Sequence, residues 1–376
     1  MSSYSRKFTF APQPTTVRGQ SVHIGGDPKG QNFIYTNGRA VVIRNIKNPE
    51  ISKEYTQHTC NTTVARYAPS GYYIASADVQ GNIRIWDTTQ AENILKIETK
   101  PFSGKVSDLD WDFESKRLIA VGEGKDKFGH AFLFDSASSV GEISGHSKVI
   151  NSVSIRPGRP LRAATGSDDM TVNFYHGVPF KFNKSISDHS RYVQCVRFSP
   201  NGDHLATASS DSKIFLYDGK TGDKVLALNG EGAHTGTVFS LSWAPDSKHF
   251  MSASADMTTK IWDVATSTVV TNFKFSDRPN PEHQQVGSLW QGEYLISLAL
   301  SGDISYLDPR SGDKPTRVIR VLYHSYIGKQ QRHYYTCYYE GQNAFYWKLR
   351  GESLRLEREC RDGHLCYWKH SYQPGY

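Results

Sequence analysis

The chain has 376 residues, of which 38% are hydrophobic, 22% charged and 12% aromatic, with 31 Gly and 16 Pro. This composition excludes collagen, coiled coil and wholesale disorder, and no run nears the 18 apolar residues of a membrane-spanning helix. The net charge of +7 suits an acidic protein partner. No Lys/Arg block is present to neutralise a run of phosphates, so nucleic acid and membrane are not expected partners.

At roughly 150 residues per domain, length alone predicts two or three domains. The first residues, MSSYSRKFTFAPQPTTVRG, contain no apolar core of the kind a secretory signal needs. Five Cys are a sparse, odd count, which fits a reducing compartment and a cytoplasmic location.

In chain order, seven segments share one pattern: FIYTNGRAVVIRNIKN (33–48), IASADVQGNIRIWDTTQAE (74–92), LIAVGEGKDKFGHAFLFDSAS (118–138), RAATGSDDMTVNFYHG (162–177), LATASSDSKIFLYDGKTGD (205–223), FMSASADMTTKIWDVATST (250–268) and LISLALSGDISYLDPRSGD (295–313). Each is an apolar strand, a polar turn, an alternating strand with an aromatic residue near its end, and a further turn. The aromatic slot or its substitute falls at Ile43, Trp86, Phe134, Tyr175, Tyr217, Trp262 and Leu307, spaced 43, 48, 41, 42, 45 and 45 residues apart. Most copies follow a His- or Gly-containing turn and one more alternating strand, as in GHSKVINSVSIRPG and AHTGTVFSLSWAPDS.

Four short strands in about 43 residues, with period two rather than 3.6, make one blade of a β-propeller, the period of WD-repeat chains. The predicted fold is therefore all-β: a seven-bladed WD-repeat propeller over 1–320. Residues 321–376 are expected to form a divergent tail, with TCYYEGQNAFYWKLRGES as the degraded start of a further blade. That tail holds 10 of the 21 Tyr, 3 of the 5 Cys and 4 of the 14 His.

His, Ser/Thr and Asp recur in the good units, as they would in a hydrolase. The expected role is structural, with the turn His, the strand Ser or Thr, the turn Asp and the strand-end aromatic bonded to one another within a blade. The sets are His58 with Asp78 and Trp86, His146 with Asp169, His189 with Asp211, and His234 with Asp256 and Trp262. No catalytic residue, cofactor or metal site is predicted, and the chain is read as a non-enzyme. GEGKDKFGH (122–130) lacks the P-loop signature and reads as a long blade loop. Cys360, His364, Cys366 and His370 match no standard zinc spacing.

Alignment of the turns makes Asp169 the structural Asp, six residues before Tyr175, and leaves Asp168 free to face solvent. Beside it lies GVPFKFNKS, with Phe180, Lys181 and Phe182. Aromatic and basic residues in a turn region fit partner binding.

GEGKDKFGHAF and SDDMTVNFYHGVPFKF, with NPEISKEYTQHTCNTTVARYAPSGYYIASADVQGNIRIWD and GAHTGTVFSLSWAPDSKHFMSASADMTTKIWD, resemble the actin-interacting protein 1 family over about residues 1–320. The resemblance implies a chain that binds actin filaments decorated with cofilin, promotes their disassembly and helps cap their ends, without covalent chemistry. Its implied partners are actin filaments and cofilin, its implied place the actin cytoskeleton, and the chain is expected to be a monomer. The matching binding positions are Glu123, Asp168, Lys181, Phe182 and Tyr192. Family members carry two propellers, and the match ends near Arg320, so part of the activity is expected to be impaired. The N-terminal strand KFTFAP (7–12) is expected to lack a partner in a second propeller. The alternative reading is a general WD-repeat scaffold or adaptor in a multiprotein complex.

Overall fold

A computed structural model describes residues 11–320 apart from positions 91, 126 and 229; beyond 320 it describes only the backbone of the strands named below. Seven antiparallel sheets follow one another along the chain, at 25–55, 62–99, 106–142, 150–186, 193–228, 238–274 and 285–323. In the first six, four strands, and in the seventh the first four of five, pair strictly with their sequence neighbours. First strands of consecutive sheets pack side by side, and the first strand of the first sheet, Gly25–Gly26, meets both Thr62–Tyr67 and Gln285–Gln291. The ring of seven blades is thereby closed. Two 3-10 turns, Pro281–His283 and Pro309–Ser311, are the only helical elements among the described residues.

The inner strands are apolar on both sides because each sheet has a neighbour on either side. In the third blade, Leu118 and Ala120 of the strand Arg117–Gly122 pack with Val64, Ala75 and Ile85 of the second. Ile119 and Val121 of the same strand point the other way, to Ile150, Val153 and Ala163 of the fourth. The core is thus a series of layers between blades. Outer strands such as Lys181–Ile186 are largely exposed and alternate.

Every first strand from the second blade to the seventh bulges at its second residue, namely Thr63, Ser107, Asn151, Gln194, Phe239 and Val286. A bulge adds one residue opposite the partner strand and re-aims its side chain. Residues 11–24 close the seam between the first and seventh blades. Tyr35 Oη donates to the Pro12 carbonyl (2.7 Å), Asn37 Nδ2 to that of Gln13 (2.6 Å), Thr16 Oγ1 to that of Leu300 (2.6 Å), and Val22 N–H to that of Val286 (2.9 Å). Of the predicted N-terminal strand, Ala11 is buried and the Pro12 carbonyl is bonded here; residues 7–10 lie outside the described residues.

The chain divides into two compact units, 1–336 and 337–376. The second contains the strands Trp347–Leu349, Glu352–Arg361 and Leu365–Ser371, in one antiparallel sheet. The side chains of Cys360, His364, Cys366 and His370 lie outside the described residues.

Register corrects one aromatic assignment. Leu118 pairs with Phe132, as Ile74 pairs with Trp86 and Ala163 with Tyr175. Phe132, which is buried, therefore holds the slot expected for Phe134. The length difference lies in the turn 123–128 after Gly122, two residues longer than its counterpart 79–82. The long loop falls where the sequence places it, within 122–130; the FLF run offers two aromatic positions, and pairing with Leu118 selects the first.

Candidate functional site

In an antiparallel sheet, turns alternate between its two ends. The blade-to-blade connections and the turns between second and third strands consequently share one face of the ring. One backbone bond recurs there. The first residue after the second strand donates its N–H to the carbonyl of the residue just before the first strand: Val79 to Asn61 (3.0 Å), Glu123 to Lys105 (2.8 Å), Asp168 to Val149 (3.0 Å), Ser210 to Tyr192 (2.9 Å), Ala255 to Thr237 (2.8 Å) and Leu300 to Gln284 (2.8 Å). Glu123 and Asp168 therefore hold equivalent places on consecutive blades, and Tyr192 stands across the same bond on the next.

Below this rim lie the blade relays. In the sixth blade, Trp262 Nε1–H donates to Ser252 Oγ (2.8 Å), Ser252 Oγ meets His234 Nε2 (2.7 Å), and His234 Nδ1 meets Asp256 Oδ2 (2.8 Å). With Asp256 accepting, Nδ1 carries the proton and Nε2 accepts from the hydroxyl. Burial holds the His234 pKa below its usual value. Burial alone would raise Asp256, but hydrogen bonds from His234, Thr258 and the Thr235 N–H hold it well below the usual carboxylate range. The fourth and fifth blades repeat the arrangement through His146, Thr165 and Asp169, and through His189, Thr207 and Asp211. Their Tyr residues differ from Trp: Tyr175 Oη donates to the Ser144 carbonyl (2.7 Å) and Tyr217 Oη to Asp188 Oδ2 (3.0 Å).

The second blade departs from expectation. His58 bonds Ser76 (2.7 Å), and Ser76 accepts from Trp86 Nε1 (3.1 Å), but Asp78 lies 3.6 Å from His58 Nδ1. Asp78 ends its strand, where the other relay blades have Ser167, Ser209 and Ser254. Its carboxylate caps the turn instead, accepting from Gln80 N–H, Asn82 N–H and Asn82 Nδ2. The turn Asp of the other three blades is replaced here by Gln80.

Asp168 also has a task that its sequence position hid. Its Oδ1 accepts from Asn151 Nδ2 (2.7 Å), which also donates to the Val193 carbonyl (2.9 Å). Asn151 is the bulge residue of its strand, so its amide swings to the rim and ties Asp168 to the residue after Tyr192. Glu123 is exposed, 3.8 Å from Lys105 Nζ. Phe182 begins at the opposite end of its blade, but its ring lies against Gly145 in the connection on this face and stands edge-on to Tyr175 at 6.2 Å. A Cβ on Gly145 would fall 2.8 Å from that ring, and the φ of Gly145 is +97°, so glycine makes the contact possible. Phe182 and Tyr192 are 44% and 45% exposed. Lys181, next to Phe182 on a strand, points to the other face of the sheet and pairs with His176 in register. Phe180, expected in the same exposed turn, is buried against the third blade.

Sequence reasoning passed over Met170, which is 38% exposed in the same turn as Asp168; an apolar residue inside a polar SDD turn was its signal. It also passed over a buried polar cluster on the inner strands. Asp108, fully buried, accepts from Arg66 (3.1 Å), Arg197 (2.9 Å), Ser152 (3.1 Å) and Val153 N–H (3.2 Å), and His23 accepts from Arg197 (3.1 Å). Burial alone would raise the Asp108 pKa, but the two guanidinium groups hold it far below the usual range. A cavity of about 150 Å³ adjoins this cluster, lined by His23, Arg66, Arg197, Ser240, Ser242 and Ser288 among others. Among the described residues no three His, Cys, Asp or Glu side chains converge as metal ligands would, and no helix is long and apolar enough to cross a membrane.

The family model "WD domain, G-beta repeat" matches residues 49–87, 137–176, 180–218 and 227–263. The chain is 58% identical over 317 residues to WD repeat-containing protein 1 of Gallus gallus and 56% identical to that of Rattus norvegicus, in each case over 84% of this chain and 52% of the relative. It is 48% identical over 318 residues to actin-interacting protein 1 of Drosophila melanogaster, covering 85% of this chain and 52% of that protein. The chain spans about half the length of the curated relatives it matches.

Proposed function

We propose that this chain, a member of the actin-interacting protein 1 family of WD-repeat proteins, binds actin filaments through the rim that carries Glu123, Asp168 and Tyr192, with Phe182 at its border. On this reading it cooperates with cofilin to promote filament disassembly and end capping, in the cytoplasm, as a monomer. The observation that supports the proposal is 48–58% identity over 317–318 residues to proteins named WD repeat-containing protein 1 and actin-interacting protein 1, beside a rim on which Glu123 and Asp168 hold equivalent places on consecutive blades. The physical division of labour is the usual one at interfaces. Phe182 and Tyr192 supply apolar anchors, and Glu123 and Asp168 set charge register.

Co-sedimentation with actin filaments, with and without cofilin, tests this. The fraction of chain pelleted should rise with cofilin. Asp168→Ala and Phe182→Ala should each weaken binding by about 1–2 kcal/mol while the unfolding midpoint stays near that of the parent. Binding that ignores cofilin would remove cofilin from the reading, and intact binding by both variants would remove these residues from the site.

A further inference from the structure

We propose that Asn151 is a positioning residue of the rim: its amide fixes the Asp168 carboxylate before a filament is met and leaves the second carboxylate oxygen to a donor on the partner. The inference rests on the reading of this rim as the filament-binding surface.

Asn151 bulges out of the first strand of the fourth blade, which turns its side chain from the ladder toward the rim. Its Nδ2 donates to Asp168 Oδ1 (2.7 Å) and to the Val193 carbonyl (2.9 Å). Both partners are acceptors, so both amide hydrogens are spent and neither is left for a filament. Asp169, next in sequence, gives its carboxylate to His146, Ser147 and Thr171 inside the blade. Asp168 gives the blade one oxygen. Among the described residues its Oδ2 accepts no hydrogen bond and pairs with no cation, and the residue is half-buried rather than covered.

The bulge itself does not call for this amide. The same slot holds Phe239 and Val286, which have no polar side-chain atom, and Thr63, whose hydroxyl donates to the Ala77 carbonyl of its own blade (3.3 Å). Glu123 faces Lys105 rather than the bulge residue Ser107. A bulge amide that holds a rim side chain recurs on the fifth blade, where Gln194 Nε2 donates to Ser210 Oγ (3.1 Å). Ser210 and Asp168 occupy equivalent places. The longer amide reaches the shorter rim side chain and the shorter amide the longer one, so both pairs bridge a similar gap. Among the described residues the two amides thus stand only on the blades joined at Tyr192, the first of which carries Asp168 and Phe182. Ordering a side chain beforehand removes its entropy cost from the binding step.

The experiment is a double-mutant cycle read by co-sedimentation with cofilin-decorated actin filaments, with thermal unfolding measured on each chain. Asn151→Ser is the probe, because Ser107 shows that serine fits the bulge and leaves the rim residue unheld; Asn151→Ala, run in parallel, should behave alike. Asn151→Ser should lose about fivefold in affinity, but less than about twofold when Asp168→Ala is already present, since the amide then has no carboxylate to hold. Any fall in midpoint from the Val193 carbonyl is common to both backgrounds and cancels in that comparison. Parent-like binding by Asn151→Ser overturns the positioning role and leaves Asp168 as a contact. An equal loss in both backgrounds also overturns it, because the amide then acts through the fold. If Asp168→Ala binds as tightly as the parent, Asp168 leaves the site and the positioning role goes with it. If the parent chain itself fails to pellet with filaments, the reading of the rim fails.

Discussion

At the scale of single residues, burial has set several titrations apart from their ordinary values, in opposite senses. Burial lowers the His23 pKa to about 3, and it lowers His58 and His234 as well. These groups are neutral in the folded chain while the unfolded chain takes up protons below about pH 6.5. Their contribution is complete above that pH and is lost as pH falls toward the folded values. Linkage puts the His23 share at about 2 kcal/mol by pH 5. Asp110 works the other way. Burial raises its pKa to about 6, so the folded chain binds the extra proton and acidification from pH 7 to 5 relieves it. We expect the unfolding midpoint to drop over that interval, more steeply in Asp110→Asn and less steeply in His23→Gln. A midpoint flat in all three chains would contradict the assignment.

At the scale of the element, a blade is held by a relay whose central hydroxyl serves two donors or acceptors at once. Ser76 Oγ meets both His58 Nε2 and Trp86 Nε1 inside the second blade. Ser76→Ala would leave both without a partner in a fully buried place, at a cost of about 3 kcal/mol, measurable by urea unfolding with an unchanged slope. The relay was legible in outline, because His, Ser/Thr, Asp and the aromatic recur at fixed offsets. Its failure at Asp78 was legible too, because Asp78 stands eight residues before Trp86 where Asp169, Asp211 and Asp256 stand six before their aromatic residues. The strand end shows the consequence, a carboxylate that caps the turn. Phe132 against Phe134 was not legible: an alternating FLF run offers two registers, and pairing with Leu118 selects one.

At the scale of the molecule, one carboxylate joins elements far apart in the chain. Asp108 of the third blade holds Arg66 of the second, Ser152 of the fourth and Arg197 of the fifth, while His23 from the closing segment stacks its acceptor onto Arg197. Asp108→Ala would strand two guanidinium groups beside the cavity without their counter-charge. We expect a loss of about 3–5 kcal/mol, read as a lower denaturant midpoint, whereas a loss below about 1 kcal/mol would show the cluster to be dispensable.

The sequence by itself determined the number of blades, their period and the kind of network inside them, because each blade is built from strands adjacent in the chain and its turns are local chemistry. Only the tertiary structure decided what crosses between blades. Asn151 bound to Asp168, Phe182 laid over Gly145, Asp108 shared among four blades and Met170 left standing on the rim all depend on bulges, ring curvature and neighbours many residues away. Periodicity carries no record of those distances, since it describes each blade as though it stood alone.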